Sequence, residues 1–284
     1  MLDNGGMFPL PYPSQKRVAE IALEAMNLMP YTAMNLGWSD ISAGTDFLKE
    51  SASKLKFPFI SSNAVYKESG LPLGEKYLIR EIGGIRIAIL GILPVTVPEK
   101  LAKIASCGDK EPSDDAAAPK PEILIDKLTV IPPEEALKQL VPEVRAKADA
   151  VILLSQCGFD ATEQIVNQIK GIDLAITGPS GKPKSEQKTG VPVLQTSLGG
   201  KEAGFVKLTL NDSGQIQIEK KIISLHDGIA SQPEIAKITG DDIVKKLRDE
   251  EIKRLEEETK ELLKLSPYEY YKKLETEKEA GVKK

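Results

Sequence analysis

Apolar positions recur every three to four residues over several stretches of this chain and fill short runs between them, an alternation that predicts an α/β fold. Val18, Ile21, Ala22, Ala25 and Leu28 fall on one helical face, and Ser14 just before them is a residue type that caps helix starts. A short strand is expected around Tyr31 to Asn35, then a second helix from Asp46 to Leu55. The brief apolar run Phe57-Pro58-Phe59-Ile60-Ser61-Ser62 suits a buried strand. Lys76 to Ile82 and Ile85 to Ile92 flank Gly83-Gly84, a two-residue hairpin signal, so antiparallel pairing is expected there.

Residues 106 to 121 are small, polar and proline-bearing without a period, and read as a mobile insertion. Pro133 opens a helix carrying Ala136, Leu137, Leu140, Val144 and Ala148, and Ala150 to Ser155 forms the strand after it. A further pair follows, with a helix over Ala161 to Ile169 and a buried strand over Ile172 to Thr177. Val191 to Thr196, Gly204 to Leu210 and Gln215 to Ile223 read as strands, the last two joined through Asn211-Asp212-Ser213-Gly214. The globular pattern ends near Pro233, which predicts a domain over 1–233 and a charged arm over 234–284. In that arm Asp241 or Asp242 can cap a long helix whose apolar face (Val244, Leu247, Leu255, Leu262) is thin. Such a face suits a helical arm or linker that packs on a partner or a further domain through residues 240–265, with a solvated tail as the alternative.

Composition narrows the classes. A chain of 284 residues is long enough to bury a large core. A net charge of −4 without a basic stripe gives no electrostatic reason to expect nucleic acid. No apolar run reaches the roughly 18 residues that span a bilayer, and Met1 starts no signal-peptide pattern. Met1-Leu2-Asp3-Asn4-Gly5-Gly6 reads instead like the end of a strand entering a loop, as a truncated start would. Two cysteines, Cys107 and Cys157, define no disulfide framework, although one bridge stays open. With a single histidine, His226, these are the only three imidazole or thiol side chains, too few and too scattered for an ordinary dinuclear transition-metal centre.

Six segments, in order, resemble the calcineurin-like metallophosphoesterases, specifically the N-terminal domain of bacterial 5′-nucleotidases. Leu2 to Phe8 resembles a strand ending in Gly-Asp, and Asn35 to Gly44 the block G-N-H-E-F-D-x-G. Ile60-Ser61-Ser62-Asn63 is similar to L-S-A-N, and Ile85 to Pro94 to a G-x-K-I-G-I-I-G-L hairpin. Ile152 to Gly158 resembles L-x-H-x-G, and Gly171 to Gly181 resembles G-I-D-x-I-I-x-G-H-S-H. The resemblance implies a mixed two-sheet α/β/β/α sandwich, here followed by a helical C-terminal arm, and a location outside the cytoplasm, where the nucleotidase relatives work.

The family's chemistry needs two divalent cations held by Asp, Asn and His. On this resemblance the metal-bridging Asp falls on Gly6, the metal-binding Asn on Trp38, and three metal-binding His on Gln156, Pro179 and Gly181. The catalytic His and its carboxylate partner fall on Ser39 and Ser42, and the first ligand pair would precede Met1. Glycine and proline supply no donor, and glutamine is a weak neutral ligand. Asp40, aligned with the family's Glu, is expected to hold a loop by hydrogen bonds, and Trp38 either to fill the former metal cavity or to meet a partner. His226 reads as a surface or turn residue. The expectation is therefore a phosphoesterase-like module without metal, cofactor or catalytic residues, acting in protein interaction or as a scaffold. Two rivals stay open: a thiol-redox protein using Cys107 and Cys157, and a metal-dependent phosphoesterase with a rebuilt site.

Overall fold

The computed structural model describes residues 1–8, 16–97, 127–178, 190–196, 200–211, 213, 216–226, 228–240 and single positions beyond. Two sheets lie face to face between helices. The smaller holds β1 (Leu2–Asp3), β2 (Ala33–Asn35) and β3 (Phe59–Ile60), all parallel. The larger has β5 (Leu78–Ile82), β6 (Ile85–Ile92), β8 (Ala150–Ser155), β9 (Leu174–Thr177) and β10 (Val193–Gln195), in the order β10-β9-β8-β6-β5. The expected hairpin forms: β5 pairs antiparallel with β6 across Gly83 and Gly84, whose φ values of 59° and 80° suit the tight turn. Within this sheet antiparallel pairing stops there, because β6, β8, β9 and β10 are mutually parallel.

Period-two alternation on β6 explains the layering. Ala88, Leu90 and Ile92 face helices α4 (Pro133–Arg145) and α5 (Phe159–Gln168), packing on Leu137, Leu140, Val144 and Val166. Ile87 and Ile89 face the other way, into a core shared with Ala33 and Ile60 of the smaller sheet. The outer face of that sheet is covered by α1 (Lys16–Leu28) and α3 (Thr45–Lys54) through Leu23, Met26, Phe47 and Leu48. The result is the expected α/β/β/α sandwich. Pro133 opens α4 at its first turn, where its missing N–H costs nothing.

Two minor pairs complete the described strands: β4 (Ala64–Tyr66) with β7 (Leu128–Val130), and the ribbon β11 (Glu202–Leu210) with β12 (Ile216–Ser224). Val206, Leu208, Ile216 and Ile218 press one side of the ribbon on the inter-sheet core.

The face of α1 differs from expectation. Ala19, Ile21, Leu23, Ala25 and Met26 are buried, whereas Val18 and Leu28 are 39% and 42% exposed. A helix of 13 residues is about 20 Å long, and strands of two or three residues cover only about 10 Å, so both ends overhang. Beyond the sandwich a short helix, α6 (Pro233–Thr239), lies beside α1 with no buried residue. Ile243, Lys245, Lys246, Asp249, Lys253 and Lys260 are helical; most of the expected arm lies outside the described residues, as does the stretch 106–121.

Candidate functional site

The loops that follow β1, β2, β6 and β8 meet at the carboxyl ends of the strands, where α/β folds bind ligands. After β1 the chain turns through Gly5 and Gly6 at φ 81° and 76°. Only glycine fits the first of these, since a Cβ there would overlap the Asn35 carbonyl oxygen. The two left-handed residues point three successive N–H groups at one spot, the kind of concavity that binds anions.

That spot is filled by Asp40, which is fully buried. Its Oδ2 accepts N–H bonds from Gly6 at 2.6 Å and Gly37 at 2.8 Å, and its Oδ1 accepts from Met7 at 2.9 Å and Phe8 at 3.0 Å. Burial pushes the carboxyl up to about 6 against the pull of the Gly37, Gly6 and Phe8 N–H groups, and the nearby Asp3 adds to the rise. Four donors on two oxygens leave no lone pair for a substrate or a metal. The expected loop-holding role of Asp40 is what this geometry describes.

Gln156, one residue beyond β8, lies over Gly6 and Gly37. Cβ atoms built on those glycines would stand 3.4 Å and 3.1 Å from its Oε1. Its Nε2 donates to the Asn4 carbonyl at 2.5 Å, while Asn4 Nδ2 donates to the Ser155 carbonyl at 2.8 Å. The two carboxamides thus cross-link the ends of β1 and β8. Asn35 extends the seam, donating to the carbonyls of Ile92 at 3.1 Å and Asn4 at 3.4 Å. Its Oδ1 sits against Gly91, where any Cβ would overlap it.

Trp38 opens the single-turn helix α2 (Trp38–Ile41) and is 7% exposed. Its indole packs in a cluster with Ile41, Ala64, Leu93 and Leu128, and its Nε1 donates to the Pro94 carbonyl at 2.9 Å. Trp38 is therefore a buried side chain, and the side chain lying over Gly6 and Gly37 is that of Gln156. Ser42 Oγ turns back to the Ser39 carbonyl at 2.6 Å. Ser39 Oγ and Asn4 Oδ1 are buried without a hydrogen-bond partner among the described residues.

Cys157 packs against the helical side of the larger sheet, and burial raises its thiol to about 11. A thiol so placed is almost wholly protonated at neutral pH, the opposite of a reactive thiolate. Cys107, Pro179 and Gly181 lie outside the described residues. His226 is exposed and accepts the Gly228 N–H, as a turn residue does. The motif blocks that contain Asn4 and Asn35 do not mark either as a site residue. Their only local signal was an amide next to Gly5 and one ending a strand.

Among the described residues the donor set does not fit a dinuclear metal centre. Gly6 offers no side chain, Trp38 faces an apolar cluster, Gln156 is tied to Asn4, and both oxygens of Asp40 are occupied. Among the described residues no group of three or more His, Cys, Asp or Glu could hold a metal ion.

No family model matches the chain. It is 25% identical over 229 residues to the 2′,3′-cyclic-nucleotide 2′-phosphodiesterase/3′-nucleotidase of Salmonella typhimurium, covering 69% of this chain and 32% of that protein. The human 5′-nucleotidase is 27% identical over 240 residues, covering 76% and 39%. The chain thus spans about a third of the length of the curated relatives it matches. Among solved structures, the Thermus thermophilus sulfate thiohydrolase SoxB superposes with a TM-score of 0.66 at 22% identity, covering 84% of this chain and 41% of that one. The calcineurin-like phosphoesterase YfkN of Bacillus subtilis superposes with a TM-score of 0.63 at 20% identity, covering 90% and 84%.

Proposed function

From a chain whose homologues are nucleotidases and whose fold is that of calcineurin-like phosphoesterases, we propose a protein that keeps the sandwich without hydrolytic activity and works through protein contacts. The observation that carries this reading is the state of the loop ends. The anion-binding turn at Gly5 and Gly6 is filled by Asp40, and the Gln156 carboxamide lies against Gly6 and Gly37. A phosphate entering there would displace four N–H bonds and meet a carboxylate. Fold similarity carries no chemistry by itself, so the relatives' activities do not follow from the shared sandwich.

In this reading residues 1–233 form the module, and the segment 240–265 contacts a protein partner or a further domain, outside the cytoplasm as the resemblance implies. No helix among the described residues is long and apolar enough to cross a membrane. The test has two arms on the full chain. Mass-spectrometric metal analysis is expected to find no stoichiometric Mn, Zn or Fe and chelator no change in melting temperature. Assays with nucleoside monophosphates and 2′,3′-cyclic nucleotides are expected to give no turnover above a heat-denatured control. One or two bound metal equivalents together with EDTA-sensitive hydrolysis would overturn the proposal and favour the rebuilt phosphoesterase.

A further inference from the structure

The Asn4-Gly5 pair stands at the seam between the two sheets in a setting suited to a chemical change of the chain itself. Asparagine followed by glycine is the pair most open to succinimide formation, because no Cβ on the second residue shields its backbone nitrogen. Three observations bear on this pair. The Gly5 N–H, whose nitrogen is the nucleophile, donates to Asp3 Oδ1 at 2.7 Å. Asn4 is only partly buried and Gly6 beside it is exposed, so water reaches the loop. Asn4 Oδ1 is buried without a partner while Asn4 Nδ2 holds the Ser155 carbonyl.

We propose that Asn4-Gly5 is a self-modifying site, at which Asp3 takes the Gly5 amide proton and Asn4 converts to aspartate or isoaspartate. The Gly5 nitrogen bonds to Asn4 Cγ, the Cγ–Nδ2 bond breaks and ammonia leaves, carrying the proton delivered through Asp3. Water then opens the ring at either carbonyl. The net change is asparagine plus water to an acid plus ammonia, with no oxidant or reductant. Burial raises the Asp3 carboxyl, while its bond from Gly5 N–H lowers it, and a carboxylate raised on balance is the stronger base. The product carboxylate would face the carbonyl of Ser155 where Asn4 now donates, so that bond of the cross-link between β1 and β8 is lost on conversion. This site is independent of the function proposed above.

The experiment is peptide mapping with isoaspartate detection on the full-length wild-type protein, incubated at neutral pH either folded or in urea. Residues 1–16 are expected to deamidate at least as fast folded as unfolded. Asp3→Ala is expected to slow the folded protein by about tenfold or more, the low side of what a positioned base contributes, without changing the rate in urea. Asn4→Asp is expected to melt at a lower temperature. Folded wild-type protein that deamidates more slowly than the unfolded chain would overturn the proposal, because the fold would then protect the pair. An unchanged folded rate in a folded Asp3→Ala protein would remove Asp3 from the mechanism and overturn it equally.

Discussion

Asp40 Oδ2 accepts the Gly6 N–H at 2.6 Å across 34 residues of sequence, and this bond, with its three companions, fixes the loop after β1 to the start of α2. Asp40→Asn keeps the size but turns one acceptor into a donor facing N–H groups. Burying unsatisfied donors costs about 1–3 kcal/mol each, so a loss of about 2–4 kcal/mol is expected in urea unfolding. A neutral effect would show that the loop has another support.

Asp40 also has a pH signature. Its folded value of about 6 lies above the ordinary 3.8, so the fold favours the protonated form. Its contribution is present below about pH 4 and is lost as pH rises through 6. The wild-type protein is therefore expected to gain stability from this group on acidification from pH 7 to 5, a gain that Asp40→Asn removes. Asp149 runs the other way: its bonds from the Arg86 side chain and backbone N–H hold it down to about 2. Its contribution is present above about pH 4 and fades as pH falls through 2. Carboxyl NMR titration of the two residues separates the signs.

Trp38 is the chain's single tryptophan, so its environment can be read directly. Blue-shifted emission that resists acrylamide quenching is expected. Trp38→Ala should cost about 3–5 kcal/mol, the range for large aromatic deletions. Trp38→Phe should cost much less, losing chiefly the bond to the Pro94 carbonyl. Red-shifted, readily quenched emission would contradict the packing with Leu93 and Leu128.

Gly91 tests the contact between the sheets. Asn35 Oδ1 occupies the place of a Cβ at this position, with Ile60 Cγ2 also 3.0 Å from it. Gly91→Ala must push aside the Asn35 carboxamide or the strand that carries it, and overpacking of this kind costs about 1–3 kcal/mol. Thermal melting measures it.

Much of the fold follows from local rules that operate within a few residues. Gly83-Gly84 permits the turn that β5 and β6 need, Pro133 suits a helix start, and the apolar run Ala150 to Ser155 can satisfy both faces only when buried. The motif blocks also placed Gly6, Trp38 and Gln156 at the loop ends, because each follows a strand by a residue or a few. Which atom meets which was settled by tertiary structure. Gln156 and Asn4 lie 152 residues apart, and nothing in either segment's spacing states that one carboxamide will close over the other's loop. The packed direction of Trp38 depended on Ala64, Leu93 and Leu128 arriving from three other segments. The exposed ends of α1 depended on the shortness of the sheet beneath it. Local propensity sets the backbone's menu, whereas a side chain's partners are set by which surfaces the folded layers bring within a few ångströms.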